Sequence, residues 1–175
     1  MEITKNIYSQ WMKDTQEKKY EGIFLDFLLP MRQKIKLDEI TVIDVGVGNG
    51  WFEKHLIDRG VTANVIGVDV DRREKETIEG LTIVDANGNR LPFKDKSFGF
   101  LVSIDTVHLL SNIDELVRVV KENGYILVTT FCNEYNARER RDSMLKAFSS
   151  CTLLKEGLVG EHDKEQSYAA LFKKG

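Results

Sequence analysis

The sequence predicts an α/β fold built on a mostly parallel sheet. Two observations lead to this prediction: short apolar runs alternate with amphipathic stretches along the chain, and the first three runs end in Asp or Gly. The chain has 175 residues, of which 42% are hydrophobic, enough for one domain with a sizeable core. The predicted strands are 41–45, 64–68, 81–84, 98–103 and 124–131, followed by an antiparallel pair near 151–157 and 166–173.

The N-terminal residues 1–37 are predicted to form a helical cap on a core of residues 38–175, all within one domain over 1–175. Ile7 and Trp11 lie one helical turn apart, and Pro30 is expected to break or kink the second of two helices. The apolar face of that second helix consists of Ile23, Phe24, Phe27 and Leu28.

The clearest internal helix is predicted from Ile113 to Val120, where apolar residues recur at helical spacing. Ser111 or Asn112 is expected to cap its start, and Asn123-Gly124 is expected to end it before the next strand. Another helix, between Asp71 and Gly80, is predicted to be short.

The run VIDVGVGNG, from Val42 to Gly50, predicts a strand that ends in a ligand-binding turn. Alternating glycines let the backbone turn tightly and let a ligand approach the main chain. A dinucleotide fingerprint would have a glycine where Trp51 stands, and a Walker loop would have Lys-Ser/Thr after its last glycine. The sequence therefore argues against both of these phosphate-binding motifs.

Two acids follow the next two predicted strands. Asp69 ends an apolar run at the position where a doubly wound sheet places an acid for ribose hydroxyls, and Asp85 ends another. The alternative is that Asp69 or Asp71 caps a helix. Three successive strands that end in Asp or Gly at one sheet edge favour a ligand site.

On these residues the chain resembles the class I S-adenosylmethionine-dependent methyltransferases, particularly the small type 11 (UbiE-like) group. The resemblance covers about residues 40–131, and its most group-specific piece is LPFKDKSF, from Leu91 to Phe98. A Y-x-x-W arrangement of Tyr8 and Trp11 also resembles this group. The matching stretches, in family order, are VIDVGVGNG, VIGVDVD, TIVDANGNRLPFKDKSFGFLVSIDTVHLL and NGYILVTTF.

The resemblance implies a Rossmann-like, doubly wound, seven-stranded sheet in the order 3-2-1-4-5-7-6 with an antiparallel C-terminal strand. It also implies S-adenosyl-L-methionine as the cofactor. Asp69 would bind both ribose hydroxyls, Asp85 would accept from the adenine amino group, and the Ala86 amide would meet the ring edge, with Asn87 nearby. The residues implied for the methionine part are Gly46, Gly48 and Gly50, with Asp44 supporting the loop and the amino group.

The implied activity is methyl transfer to a small-molecule acceptor by in-line attack. His108, after the fourth strand, is a candidate general base, and Asp105 is a candidate to orient it or to contact substrate; for His108 the alternative is a packing role. Tyr8 and Trp11 are candidate substrate contacts, although Trp11 is also a candidate core anchor. His55 and His162 are expected to be solvated.

The segment NARERRD contains Arg138, Arg140 and Arg141, which would suit a substrate carboxylate or phosphate. The interleaved acids Glu139 and Asp142 favour the alternative, an ordinary solvated helix face.

One departure from the family is Gly99, where the group has Asp. This loss motivates an alternative function, a non-catalytic S-adenosylmethionine-binding partner subunit. A nicotinamide-dependent reductase is a third possibility, against which Trp51 argues.

Composition sets further limits. A net charge of −3 disfavours nucleic acid as a partner. Cys132 and Cys151 lack metal-ligand spacing, so no metal is predicted, and both are expected to be reduced, partly buried thiols. No apolar run approaches the roughly 18 residues of a membrane span, and no leader is evident. We therefore expect a cytoplasmic protein without membrane contact, as a monomer or homodimer.

Overall fold

The computed structural model describes residues 2–32, 34–70, 77–162 and 165–175, with side chains from residue 10 onward. Seven strands form one sheet in the order β3-β2-β1-β4-β5-β7-β6, as the family resemblance implied. Strands β1 to β5 run parallel, and β7 is antiparallel to both β5 and β6. The strands are β1 Val42–Val45, β2 Val65–Asp69, β3 Leu81–Asp85, β4 Phe98–Ser103, β5 Val120–Cys132, β6 Cys151–Glu161 and β7 Glu165–Lys174.

The N-terminal segment forms one continuous helical region instead of the two helices expected. Helix α1, Glu2–Ile23, passes into a π-helical turn, Phe24–Leu28, and a 3-10 turn, Leu29–Met31. Pro30 lies in that last turn, so it marks the end of the helical region, because a proline there cannot continue the hydrogen-bond ladder. The remaining helical elements are α2 Trp51–Asp58, a 3-10 turn Val107–Leu109, α3 Asp114–Val119 and α4 Ala137–Ala147.

Helix α3 ends earlier than expected. Val120 already pairs with Phe98 in the sheet, so the helix stops at Val119 and Asn123-Gly124 lies within β5. The register of β5 against β4 shifts at this point, and Asn123 adopts a φ of 61° there. The predicted side-chain cap is also absent, because α3 begins after Ile113 without a side-chain hydrogen bond.

The predicted short helix between Asp71 and Gly80 falls mainly on residues 71–76, outside the described part of the chain. Residues 77–80 are not helical and lead into β3 through a turn. No helix in the described ranges is both long and apolar enough to cross a bilayer.

Both faces of the sheet are covered, as expected for parallel strands. Alternate strand residues point to opposite faces: Val42 and Phe100 belong to the core beneath α1 and α2, whereas Ile43 and Leu101 belong to the core beneath α3 and α4. The sheet therefore separates two cores, and its carboxyl edge is left to the loops that follow β1, β2, β3 and β4.

Candidate functional site

The glycine-rich loop connects β1 to α2 at the carboxyl edge of the sheet. The amides of Gly46 and Val47 both donate to the Val68 carbonyl, at 2.8 and 3.1 Å, which ties the loop to β2. Gly46 has a φ of +92°, and a Cβ there would lie 2.1 Å from the Thr106 hydroxyl oxygen. This position therefore requires glycine for both conformation and space.

Asp69 closes the loop from the neighbouring strand. One carboxylate oxygen of Asp69 accepts a 2.7 Å hydrogen bond from the Gly48 amide. Gly48 has a φ of +57°, and a Cβ built on it would meet no atom within 4 Å. The loop backbone is thus held beside a carboxylate while one face of Gly48 stays open to a ligand.

A cleft of about 480 Å³ lies at this edge, where the strand order reverses between β1 and β4. A crevice at such a switch point is the usual ligand site of doubly wound sheets. Among the described residues that line the cleft, Asp69 is charged and none is Lys, Arg or His. Such a lining favours a cationic ligand over a phosphate. Four residues that the sequence predicted for the cofactor site line the cleft: Gly46, Gly48, Asp69 and Ala86. Other lining residues are Asn87, Asn89 and Thr106.

Two buried acids lie beneath the loop. Asp44, on β1, is 1% exposed, and Glu53, on the first turn of α2, is fully buried. Burial, followed by the Glu53 carboxylate and the charge of Asp69, raises the pKa of Asp44 well above its ordinary value. Asp44 does not line the cleft, and its predicted role in supporting the loop and the amino group stays a prediction. Sequence reasoning missed Glu53.

The structure corrects one predicted contact on β3. The Ala86 amide donates to the Asp69 carbonyl at 3.1 Å, because the chain still follows β2 at this point, and that amide is not free for a ring edge. Asp85 lies exposed at the end of β3, in register with Asp69. Gly50 precedes α2 in a left-handed conformation and does not line the cleft. The roles of Asp85 and Gly50 stay predictions.

The far wall of the cleft depends on a residue that the sequence did not reveal. The side-chain oxygen of Asn89 accepts from the amides of Ser111 and Asn112, at 2.8 and 2.9 Å. The Asn112 side-chain amide in turn donates to the Asn89 carbonyl at 3.2 Å, so this side chain contacts the loop after β3. Asn89 thereby joins the loop after β3 to the segment after β4, and Leu110 lies on the cleft beside this junction.

Asp105 is held by a buried lysine. Lys19, on α1, is 0% exposed and forms an ion pair with Asp105, and it also lies 3.4 Å from Glu165. The second carboxylate oxygen of Asp105 accepts from the Thr129 hydroxyl at 2.8 Å. Asp105 has a φ of 52°, a conformation that this network stabilises. Its contacts therefore fix the turn after β4 and do not include His108.

His108 is exposed on the 3-10 turn and lines a second, smaller cavity beside α4, not the cleft itself. The turn of residues 105–110 separates these two spaces. Leu110 lines both, so a ligand in the smaller cavity would lie next to one in the cleft. The catalytic role of His108 stays a prediction, but its place fits an action on the acceptor side.

The remaining residues singled out in the sequence lie away from the cleft or outside the described side chains. The Tyr8 side chain lies outside the described residues, and Trp11 is 44% exposed and does not line the cleft. His55, which was expected to be solvated, is instead buried beside Tyr20, and this burial lowers its pKa. His162 is exposed, as expected. Cys132 and Cys151 are free thiols, buried and half-buried.

The fold and the cleft define a class: a doubly wound α/β protein with a ligand cleft at the carboxyl edge of its sheet, where Asp69 is the charged residue among the described lining residues. Residues 43–128 match the family model described as a methyltransferase domain. This match agrees with the resemblance to the class I S-adenosylmethionine-dependent methyltransferases on which the motifs were interpreted.

Similar proteins agree with this assignment. The chain is 30% identical over 108 residues to a fatty-acid O-methyltransferase of Mycolicibacterium smegmatis, across 56% of this chain and 39% of that protein. It is also 30% identical over 105 residues to the ubiquinone/menaquinone biosynthesis C-methyltransferase UbiE of Rhizobium leguminosarum bv. trifolii, across 51% and 41% of the two chains. The chain thus spans about two fifths of the length of these relatives.

A solved structure shows the same fold. A SAM-dependent methyltransferase from Aquifex aeolicus superposes with a TM-score of 0.63 at 18% identity, across 87% of this chain and 92% of that one. S-adenosylmethionine, the cofactor of the family, carries a sulfonium and an amino group. The cleft fits it, because Asp69 supplies negative charge, the open face of Gly48 allows close approach, and no cationic side chain lines the site among the described residues.

Proposed function

We propose that this protein transfers a methyl group from S-adenosylmethionine to a small-molecule acceptor by in-line displacement. The observation that carries the proposal is the cleft at the carboxyl edge, inside the family-matched segment, where Asp69 and the open backbone of Gly48 stand without any cation among the described lining residues. When bound, the cofactor supplies a methyl group that is already activated.

The residues of the chain provide binding and orientation. Asp69 accepts hydrogen bonds from the ribose hydroxyls and also from the Gly48 amide. Asp85 accepts a hydrogen bond from the adenine amino group. Gly46 and Gly48 give the methionine part close access to the backbone, with Asp44 beneath the loop. Fixed orientation and exclusion of water supply most of the rate in such a displacement, because the leaving group is already good.

On the acceptor side, His108 removes a proton where the attacking atom carries one at working pH, as an alcohol or ammonium does. Asp105 acts as a positioning residue, because Lys19 and Thr129 use its oxygens to fix the turn that carries His108. The relatives named above suggest a small organic acceptor, such as a fatty acid or a quinone precursor, rather than a polymer.

The cofactor site is tested by calorimetric titration with S-adenosylhomocysteine, the demethylated product. We expect Asp69→Ala to weaken this binding about a hundredfold, because two charge-assisted hydrogen bonds contribute about 3 kcal/mol together. The matched control is Asp58→Ala, an exposed acid on α2 that pairs with Lys54 and should leave the affinity unchanged. Equal affinities for Asp69→Ala and the wild type, or stabilisation by NADH instead, would refute the assignment.

Transfer is tested separately with S-adenosylmethionine labelled in its methyl group and a panel of small carboxylates, phenols, quinols and amines. We expect label in one acceptor class together with release of S-adenosylhomocysteine. Tight product binding without turnover on any acceptor would favour the alternative, a non-catalytic partner subunit. Gly99 gives that alternative no support, because it lies at the amino end of β4, away from the cleft.

A further inference from the structure

The second cavity lies between the turn of residues 105–110, strand β5 and helix α4, and we call it the α4 cavity. Its volume is about 180 Å³. Ligand sites for larger molecules usually measure about 300–1,000 Å³, whereas an apolar cavity of about 150 Å³ accommodates benzene. The α4 cavity therefore has room for one ring or a short alkyl group. Its apolar wall consists of Val107, Leu110, Ile113, Met144 and Phe148.

One buried polar group in this wall lacks a partner. Thr130, near the end of β5, lines the cavity and is 3% exposed, and its hydroxyl makes no hydrogen bond to any described residue. A buried hydroxyl left without a partner is costly, so most such groups are satisfied by protein, water or ligand. Thr130 therefore marks a place for one polar ligand atom within an otherwise apolar space.

The three arginines of α4 differ in their surroundings, and this difference selects one of them. Arg141 binds Glu156 through two hydrogen bonds, at 2.9 and 2.8 Å. The Arg138 side chain is 95% exposed, with Asp142 at 4.0 Å. Arg140 lines the α4 cavity, is half-buried, and has no ion-pair partner among the described residues. The prediction of a solvated helix face therefore holds for Arg138. Arg140, in contrast, places a positive charge without an ion-pair partner among the described residues at the cavity.

We propose that the α4 cavity binds the methyl acceptor, a small anionic molecule with a single ring or short alkyl group. Its negative group binds Arg140, a polar atom meets the Thr130 hydroxyl, and its apolar part packs on Met144 and Phe148. Leu110 belongs to both spaces, so an acceptor held here lies beside the cofactor cleft. The identification of this ligand as the acceptor rests on the proposed function.

The test compares benzoate with benzamide, a neutral molecule of the same shape, by NMR chemical-shift titration of the protein saturated with S-adenosylhomocysteine. We expect benzoate to shift amides of residues 105–113 and of α4. Arg140→Gln should weaken benzoate binding at least about tenfold and leave benzamide unchanged, because only the charged ligand loses a charge-assisted bond. Arg138→Gln is the matched control, with the same change in charge on the same helix, and should behave as the wild type.

A second variant tests the buried hydroxyl. Thr130→Val removes it at nearly constant volume, so we expect full thermal stability together with weaker binding of both probes, since each offers an oxygen to Thr130. Equal benzoate binding by the Arg140 and Arg138 variants, or shifts outside the cavity, would overturn the inference. If benzoate does not bind while S-adenosylhomocysteine does, the acceptor site alone is refuted. If S-adenosylhomocysteine does not bind, the proposed function is refuted.

Discussion

The cofactor cleft and the α4 cavity lie on opposite sides of one turn and are built in different ways. The described lining of the cleft is made largely of backbone at and just beyond the ends of β1, β2 and β3, with the carboxylate of Asp69 and a wall from the turn after β4. The α4 cavity is made of side chains from three separate segments, and it carries a positive charge from Arg140 where the cleft carries a negative charge from Asp69. The difference indicates that the first site suits a cationic cofactor, and the second an anionic acceptor.

This contrast has a physical basis. A site made of backbone amides and tight turns depends on glycine and on strand geometry, so many sequences of one family build it alike. A site made of side chains changes with each substitution, which suits a partner that differs between family members. The shared wall, residues 105–110, is then the element that must stay fixed for both ligands to meet.

The largest expected effect tests that shared wall. Lys19→Met leaves the half-buried carboxylates of Asp105 and Glu165 without their cation, and we expect the free energy of unfolding to fall by about 3 kcal/mol in urea denaturation. Any folded fraction should bind both S-adenosylhomocysteine and benzoate more weakly, because the turn loses its anchor. The matched control is Lys18→Met, whose exposed pair with Glu161 should contribute no more than about 1 kcal/mol. Equal losses in the two variants would show that the buried network does not hold the turn.

An intermediate effect separates two glycines of the cleft. Gly46→Ala combines a positive φ with a clash against Thr106, whereas Gly48→Ala meets only the positive φ. We expect Gly46→Ala to be less stable than Gly48→Ala by about 1–3 kcal/mol in thermal or urea unfolding. Both variants should bind S-adenosylhomocysteine more weakly than the wild type. Gly48→Ala should keep its affinity for benzoate, which would show that the two sites are separate. Similar stabilities would contradict the close approach of Thr106.

The smallest expected effect is a change in pH dependence. Burial, then Glu53 and Asp69, raise the pKa of Asp44, so its contribution to stability is complete below the unfolded pKa of about 3.9 and is lost as pH rises through the folded pKa. Asn at position 44 does not titrate. We therefore expect the stability of the wild type relative to Asp44→Asn to fall as pH rises, in denaturant titrations at several pH values. A flat difference would show that Asp44 is ionised throughout.

Much of the fold was predictable because its signal is local. All seven strands lie where strands were predicted, and five of them agree to within one residue at each end, whereas β5 begins four residues earlier and β6 ends four residues later. Errors arose where tertiary contacts prevailed: Val120 pairs with β4 instead of prolonging α3, and Asn89 binds the backbone amides of Ser111 and Asn112, the two residues predicted to cap that helix. Two N-terminal helices were predicted, but the structure has one continuous helical region, and no local sequence signal indicated that the two would join.

The most group-specific motif illustrates the difference between recognising a family and knowing a site. Within LPFKDKSF, the carbonyls of Leu91 and Phe93 accept from Arg118 at 3.2 and 2.8 Å, and Asp95 pairs with the same guanidinium. The motif therefore fastens the loop before β4 to α3. It helped to identify the family although, among the described residues, it contributes no side chain to the cleft.

The sequence by itself determined the order of strands and helices, the glycine loop after β1, and the acids that end β2 and β3, because each depends on neighbouring residues and on the periodicity of the chain. Only the tertiary structure decided that Lys19 holds Asp105, that His55 is buried, and that Arg140 alone among three arginines faces a cavity with Thr130. The reason is that burial and the pairing of charges depend on segments far apart in the chain, whose contacts exist only after the sheet has brought its two faces and its carboxyl edge together.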